Sequence, residues 1–107
     1  MSAHIETVDL PRGDAHPTAQ VVALPLDSEV VDAYIDPDGT VVLTVAGVRH
    51  HTRADQVVYL LGERGVPAPD ARFVRTVVHH DLHLVLHVLV APLDDHTRRD
   101  VEHAARH

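Results

Sequence analysis

Three histidines at four-residue intervals are the residues of this chain whose spacing most resembles a chemical site. His79, His83 and His87 occur in the run His79-His80-Asp81-Leu82-His83-Leu84-Val85-Leu86-His87. On a helix they lie one turn apart and can chelate zinc or a similar ion. On a strand, His83 and His87 lie roughly 13 Å apart along the chain, too far to share one ion. The metal hypothesis, in which zinc is the one cofactor considered, therefore depends on whether this segment is a helix or a strand.

A second group of polar residues, Arg49, His50, His51 and Arg53, comes directly before a predicted helix. Free backbone amides at a helix N-terminus bind anions, and arginine adds positive charge there. The same residues also suit an ordinary polar corner between a strand and a helix. The sequence therefore leaves two interpretations open, a site for a small anionic ligand and a polar corner between a strand and a helix.

The inventory for other chemistry is short. The chain has no Cys, which excludes disulfides, thiolate nucleophiles and Cys-based zinc sites. Its two serines, Ser2 and Ser28, lack the glycine-flanked elbow of hydrolases, and no phosphate loop, dinucleotide fingerprint or calcium loop is present. Acid–base chemistry, in a pocket between a helix and a sheet, stays open because 16 carboxylates and 11 His are available.

The charge balance argues against nucleic acid and membrane partners. Sixteen acidic residues face nine basic ones, all of them Arg, so the net charge is −7. Only three aromatic residues, Tyr34, Tyr59 and Phe73, are available for stacking on bases. The sequence has no apolar run long enough for a membrane span and no signal-like start, so we expect a cytoplasmic protein. We interpret the histidine content as the composition of a GC-rich genome, because Lys and Asn are absent.

The length of 107 residues predicts one hydrophobic core. Residues 1–20 are rich in turn signals and predict a loose N-terminal arm or an edge strand, followed by a single α+β domain over residues 21–107. Gln20 to Leu24 predicts a strand that Pro25 ends. Two β-rich runs, 30–35 and 40–48, flank Asp36-Pro37-Asp38-Gly39, which predicts a hairpin with a type I turn and with Val31, Ala33 and Ile35 on the buried face.

Residues 53–64 are predicted to form a helix. Thr52 suits an N-cap, apolar residues recur at helical spacing, and Gly65 and Pro67 end the pattern. The run from Thr52 to Arg72 resembles the helix-to-strand region of the SsgA-like sporulation regulators of actinomycetes, but it lacks the aromatic residues expected around that helix. We carry no function over from this resemblance.

The segment from Arg72 to Ala91 fits both a helical period and an alternating one. Its many β-branched valines, and a turn-forming pair at His80-Asp81, favour two antiparallel strands over 72–79 and 82–91. Pro92 ends the second strand, and Asp94 or Asp95 then caps a C-terminal helix.

These elements predict an α+β fold, with an antiparallel sheet of about five strands in two hairpins, one helix across it in ββαββα order, and the C-terminal helix. Two helices leave part of the sheet uncovered, so we expect an interface on the second hairpin that contains Leu82, Leu84, Val85, Leu86 and Leu89. The predicted function is a non-catalytic binding or assembly module that forms a homo-oligomer or binds another protein. The alternatives are a His-mediated zinc-binding protein and a small acid–base enzyme or ligand carrier.

Overall fold

The structure is a computed structural model, which describes residues 3–10, 18–48, 51–62 and 65–105. It is an α+β domain, as predicted, in which two antiparallel sheets precede a C-terminal helix. The elements are β1 (Ala3–Asp9), β2 (Ala19–Pro25), β3 (Glu29–Ile35), β4 (Val41–Val48), β5 (Arg53–Leu61), β6 (Arg72–His79), β7 (Leu84–Pro92) and α1 (Asp95–Ala105).

The two sheets pack face to face. The first has the strand order β1-β4-β3, and the second has the order β2-β5-β7-β6. The main core fills the space between them and includes Leu24, Val30, Leu43, Leu60 and Val88. A smaller core lies on the opposite face of the second sheet, which we call the outer face, where Val101 and Ala104 of α1 pack against Val57, Tyr59 and Leu61 of β5.

The first predicted hairpin is confirmed, with one change of face. Gly39 has a φ of 92° and its backbone N–H donates to the Asp36 carbonyl at 2.9 Å, as the turn chemistry requires. A bulge between Val30 and Asp32 shifts the alternation of β3. Val30 is therefore fully buried while Val31, predicted on the buried face, is half exposed.

The predicted helix over 53–64 is wrong, because Arg53–Leu61 forms strand β5. This strand is central in the second sheet and is covered on both faces, by the first sheet and by α1. Five consecutive residues, Val57 to Leu61, are consequently buried. A continuous apolar run in such a strand also satisfies the spacing of one helical face, so the pattern was ambiguous. With this strand and with β1 and β2, the described residues form seven strands instead of about five, and their order is not the predicted ββαββα.

The second hairpin and the C-terminal helix are confirmed as elements. β6 and β7 are joined by a turn over residues 80–83, in which His83 has a φ of 51°. Asp94 caps α1 by accepting the Thr97 backbone N–H at 2.9 Å, while the Thr97 hydroxyl accepts the Asp94 N–H at 2.9 Å. In the N-terminal segment, Ala3–Asp9 is an edge strand, and residues 11–17 of the predicted arm lie outside the described residues.

Candidate functional site

The three histidines of the metal hypothesis lie in three different settings. His79 ends β6 with its ring buried, His83 lies in the exposed turn, and His87 lies on β7 with its Nδ1 2.8 Å from the Thr76 hydroxyl. His79 uses both ring nitrogens. Its Nδ1 accepts the Leu82 N–H at 3.2 Å, which leaves Nε2 to donate to the Pro37 carbonyl at 2.8 Å. Within the described residues, no three metal-ligating side chains come together.

The proposed anion site loses the helix on which it depended, because a strand begins at Arg53. Arg49 and His50 lie outside the described residues. His51 is exposed in a bend, and the Arg53 guanidinium donates to Glu6 at 2.9 Å, which ties β5 to β1. That hydrogen bond is the first cause of the lowered pKa of Glu6. Arg53 therefore has a structural partner, and the helix N-terminus that was to bind an anion is not there.

The second hairpin presents an uncovered apolar surface on the outer face of the second sheet. On this same face, α1 covers β2 and β5, the two strands at the end of the sheet away from β6. On the hairpin, Val78 and Val85 are direct cross-strand partners and are 46% and 45% exposed. Phe73 on the same face is 55% exposed, and Leu82 in the adjoining turn is 47% exposed. We call these four residues, Phe73, Val78, Leu82 and Val85, the hairpin strip.

The predicted interface overlaps this strip only in part. Leu82 and Val85 belong to it, whereas Leu84 and Leu86 point the other way, into the core between the sheets. Leu89 lies on the outer face, beside Phe73, but packs partly on the smaller core. Sequence reasoning missed Phe73 and Val78. The signal for Val78 was present, since a hairpin with the right register places it opposite Val85.

Strands β6 and β7, which hold three of the four residues of the hairpin strip, carry no negative charge, and the fourth residue, Leu82, lies in the turn beside Asp81. β6 and β7 contain no Asp or Glu, although the chain has 16 acidic residues. The two arginines of β6 bind β3. Arg72 donates to the Val30 carbonyl at 2.8 Å and lies 3.7 Å from Glu29, and Arg75 donates to Asp32 at 3.1 Å. The carboxylate of Asp32 has a lowered pKa, first because it accepts the Ala33 N–H and second because of Arg75.

The same contacts protect the edges of the two sheets. β3 and β6 are edge strands that lie beside each other, and each has a bulge. Bulges and charged side chains are devices that prevent a sheet edge from pairing with another chain. An open groove of about 400 Å³ remains between them, with its walls formed by residues 32–35 and 75–78. Because Arg72 and Arg75 already bridge β6 to β3 at this edge, the hairpin strip is the better candidate for a contact surface.

A smaller cavity lies between α1, β5 and the segment after β5. Its volume is about 190 Å³, and its walls include Tyr59, Asp100 and His103. Tyr59 is 2% exposed and its hydroxyl donates to Asp100 at 2.5 Å. Burial, and then this hydrogen bond, raise the pKa of the Tyr59 phenol well above its usual value. This cavity is the structural counterpart of the predicted pocket between a helix and a sheet, although the helix is α1.

Comparison of the chain with protein-family models, with curated proteins and with solved structures gave no match. The resemblance to the SsgA-like regulators also required a helix where β5 runs. No helix in the part of the chain that the structure describes is long and apolar enough to span a membrane.

Proposed function

We propose that the protein is a non-catalytic binding and assembly module that self-associates through the hairpin strip. The observation that carries this proposal is the grouping of four half-exposed apolar side chains on one hairpin whose strands have no carboxylate. Single exposed apolar residues are normal on a protein surface, but the Val78–Val85 pair, with Leu82 in the adjoining turn and Phe73 on the same face beyond the Thr76–His87 row, is a grouping typical of an interaction site.

The lack of carboxylates on β6 and β7 is compatible with a second copy of the chain as the occupant. Two molecules with a net charge of −7 repel each other over most of their surfaces. Strands β6 and β7 offer a surface on which two copies can meet without opposing carboxylates. A twofold axis through this surface would place each apolar side chain against the same patch of the partner, as closed dimers require.

The middle of the outer face of the hairpin is suited to such a contact. Thr76 and His87 lie between the Phe73 row and the Val78–Val85 row, and they hydrogen-bond to each other at 2.8 Å. Polar side chains that are already paired lose less on desolvation than unpaired ones. The hairpin can therefore pack against a partner with the Thr76 hydroxyl and the His87 Nδ1 already hydrogen-bonded to each other.

The test is the oligomeric state of the untagged protein. Sedimentation velocity over a dilution series at neutral pH should show a monomer–dimer equilibrium, with dimer predominant at tens of micromolar. A strict monomer at those concentrations would contradict the proposal. A dimer that persists when Phe73 and Val78 are both changed to Ser would place the contact elsewhere and would also contradict it.

A further inference from the structure

The cavity beneath α1 has the features of a small-ligand site, and it is separate from the hairpin strip. It opens between the helix and the end of β5, with apolar walls formed by Ala19, Leu61 and Val66. Its volume of about 190 Å³ is below that of typical pockets for drug-sized ligands. The space therefore suits a small organic molecule.

One wall of the cavity is polar, and its geometry is fixed. Asp100 and His103 lie three residues apart on α1, so both side chains reach the same side of the helix. Tyr59 holds Asp100 through the 2.5 Å hydrogen bond, and His96 Nε2 lies 3.7 Å from the same carboxylate oxygen. A carboxylate that is positioned before a ligand arrives binds it with a smaller loss of side-chain entropy.

The charge around this wall is negative. Asp70 and Asp94 act on the Tyr59 hydroxyl together with Asp100, and all three oppose its ionisation. An anionic ligand would meet the same repulsion, in a protein that is acidic overall. A cation would gain from Asp100, and its apolar part would gain from the opposite wall.

We propose that this cavity binds a small organic cation, a short-chain alkylammonium, with its nitrogen at Asp100 and its alkyl chain against Leu61 and Ala19. The nitrogen would donate to the carboxylate. This site serves one of the functions that the sequence left open, that of a ligand carrier, and it is independent of self-association.

The experiment compares three ligands of similar size and different charge. Butylammonium, 1-butanol and butyrate are titrated into the full-length protein at constant ionic strength, and the backbone amide shifts are followed by heteronuclear NMR. Butylammonium should produce saturable shifts at Ala19, Leu61 and Asp100, with an affinity at least about tenfold above that of the other two ligands. Equal binding of butanol would show an apolar cavity without charge selection and would overturn the proposal, as would the absence of saturable shifts.

Asp100→Asn and Glu102→Gln form the matched pair of variants. Each removes one carboxylate from α1, but the Glu102 side chain is exposed and is not part of the cavity wall. Asp100→Asn should weaken butylammonium binding about tenfold or more, and Glu102→Gln should leave it unchanged. Equal effects of both variants would reduce the preference to general electrostatics and overturn the assignment to Asp100. If Asp100→Asn does not fold, the ligand series on the unmodified protein still decides the charge preference.

Discussion

Substitution of Val85 by Asp should separate self-association from folding. Val85 lies in the centre of the hairpin strip and is 45% exposed, so a partner can bury about half of its side chain. Complete burial of Val is worth about 1.5–3 kcal/mol, which gives about 0.7–1.4 kcal/mol for the remaining half. A twofold dimer contains the residue twice, so the loss is about 1.4–2.7 kcal/mol, or about 10- to 100-fold in Kd. The desolvation of two carboxylates adds to this loss.

The assay is sedimentation velocity over a concentration series, with Val21→Asp as the matched control. Val21 is also a valine on a strand of the second sheet, it is 42% exposed, and its strand β2 is the opposite edge from β6. Val85→Asp should be monomeric at concentrations where Val21→Asp and the unmodified protein are dimeric. Equal dimerisation of the two variants would refute the reasoning, and circular dichroism of both would establish that each retains its strands.

Three further predictions concern the structures that hold α1 and the sheet edges. In the Tyr34→Phe variant, Tyr59 is the only tyrosine. Because the pKa of Tyr59 is raised in the folded state, phenolate absorbance should be absent until the protein unfolds. The stability that buried Tyr59 contributes is complete below about pH 10 and is lost as the pH rises further. Normal titration near pH 10 in the folded protein would contradict the buried hydrogen bond to Asp100. Thr97→Val should lower the free energy of unfolding, measured in urea, by about 1–3 kcal/mol, because the Asp94 N–H and the Pro92 carbonyl lose their buried hydroxyl partner. The control, Thr52→Val at an exposed position, should have little effect. Stability should also fall as the pH drops below about 4, because Glu6, Asp32 and Asp94 have lowered pKa values in the folded state, and a melting temperature that is constant down to pH 2 would argue against these contacts.

Local turn and cap chemistry made part of the fold predictable. Asp36-Pro37-Asp38-Gly39 specifies a turn because Pro fixes φ and Gly accepts a positive φ, and both effects act within four residues. The cap at Asp94 and the proline that ends β7 are equally local. The β-branched residues of the 72–91 segment correctly favoured two strands over a helix, because strand propensity is also a property of the segment's own residues.

The prediction failed where tertiary burial decided the structure. Val57 to Leu61 is buried on both faces only because the first sheet and α1, from distant parts of the chain, cover it. No feature within residues 53–64 reports that covering, and the cap-like Thr52 and the helix-ending Gly65 and Pro67 indicated a helix. The Thr52 carbonyl instead accepts the Leu26 N–H, at the turn that leads into β5.

The candidate sites show the same division. Exposed apolar residues on the second hairpin were predictable from the sequence, but the register and the bulge in β6 decide which of its residues face outward. The cavity beneath α1 joins residues 18, 59 and 100, and such separations in sequence are not visible in any local pattern. The histidine spacing pointed to a metal, and the strands place those rings in separate environments.

Site-specific cross-linking tests the central claim, self-association through the hairpin strip, most directly. Because the chain has no Cys, a single introduced thiol reports one position only. Asp81→Cys lies in the exposed turn beside Leu82, and Asp55→Cys lies at the exposed start of β5. A short bis-maleimide should convert the Asp81→Cys protein to covalent dimer in high yield at tens of micromolar and leave the Asp55→Cys protein largely monomeric. Equal or reversed yields would contradict the account.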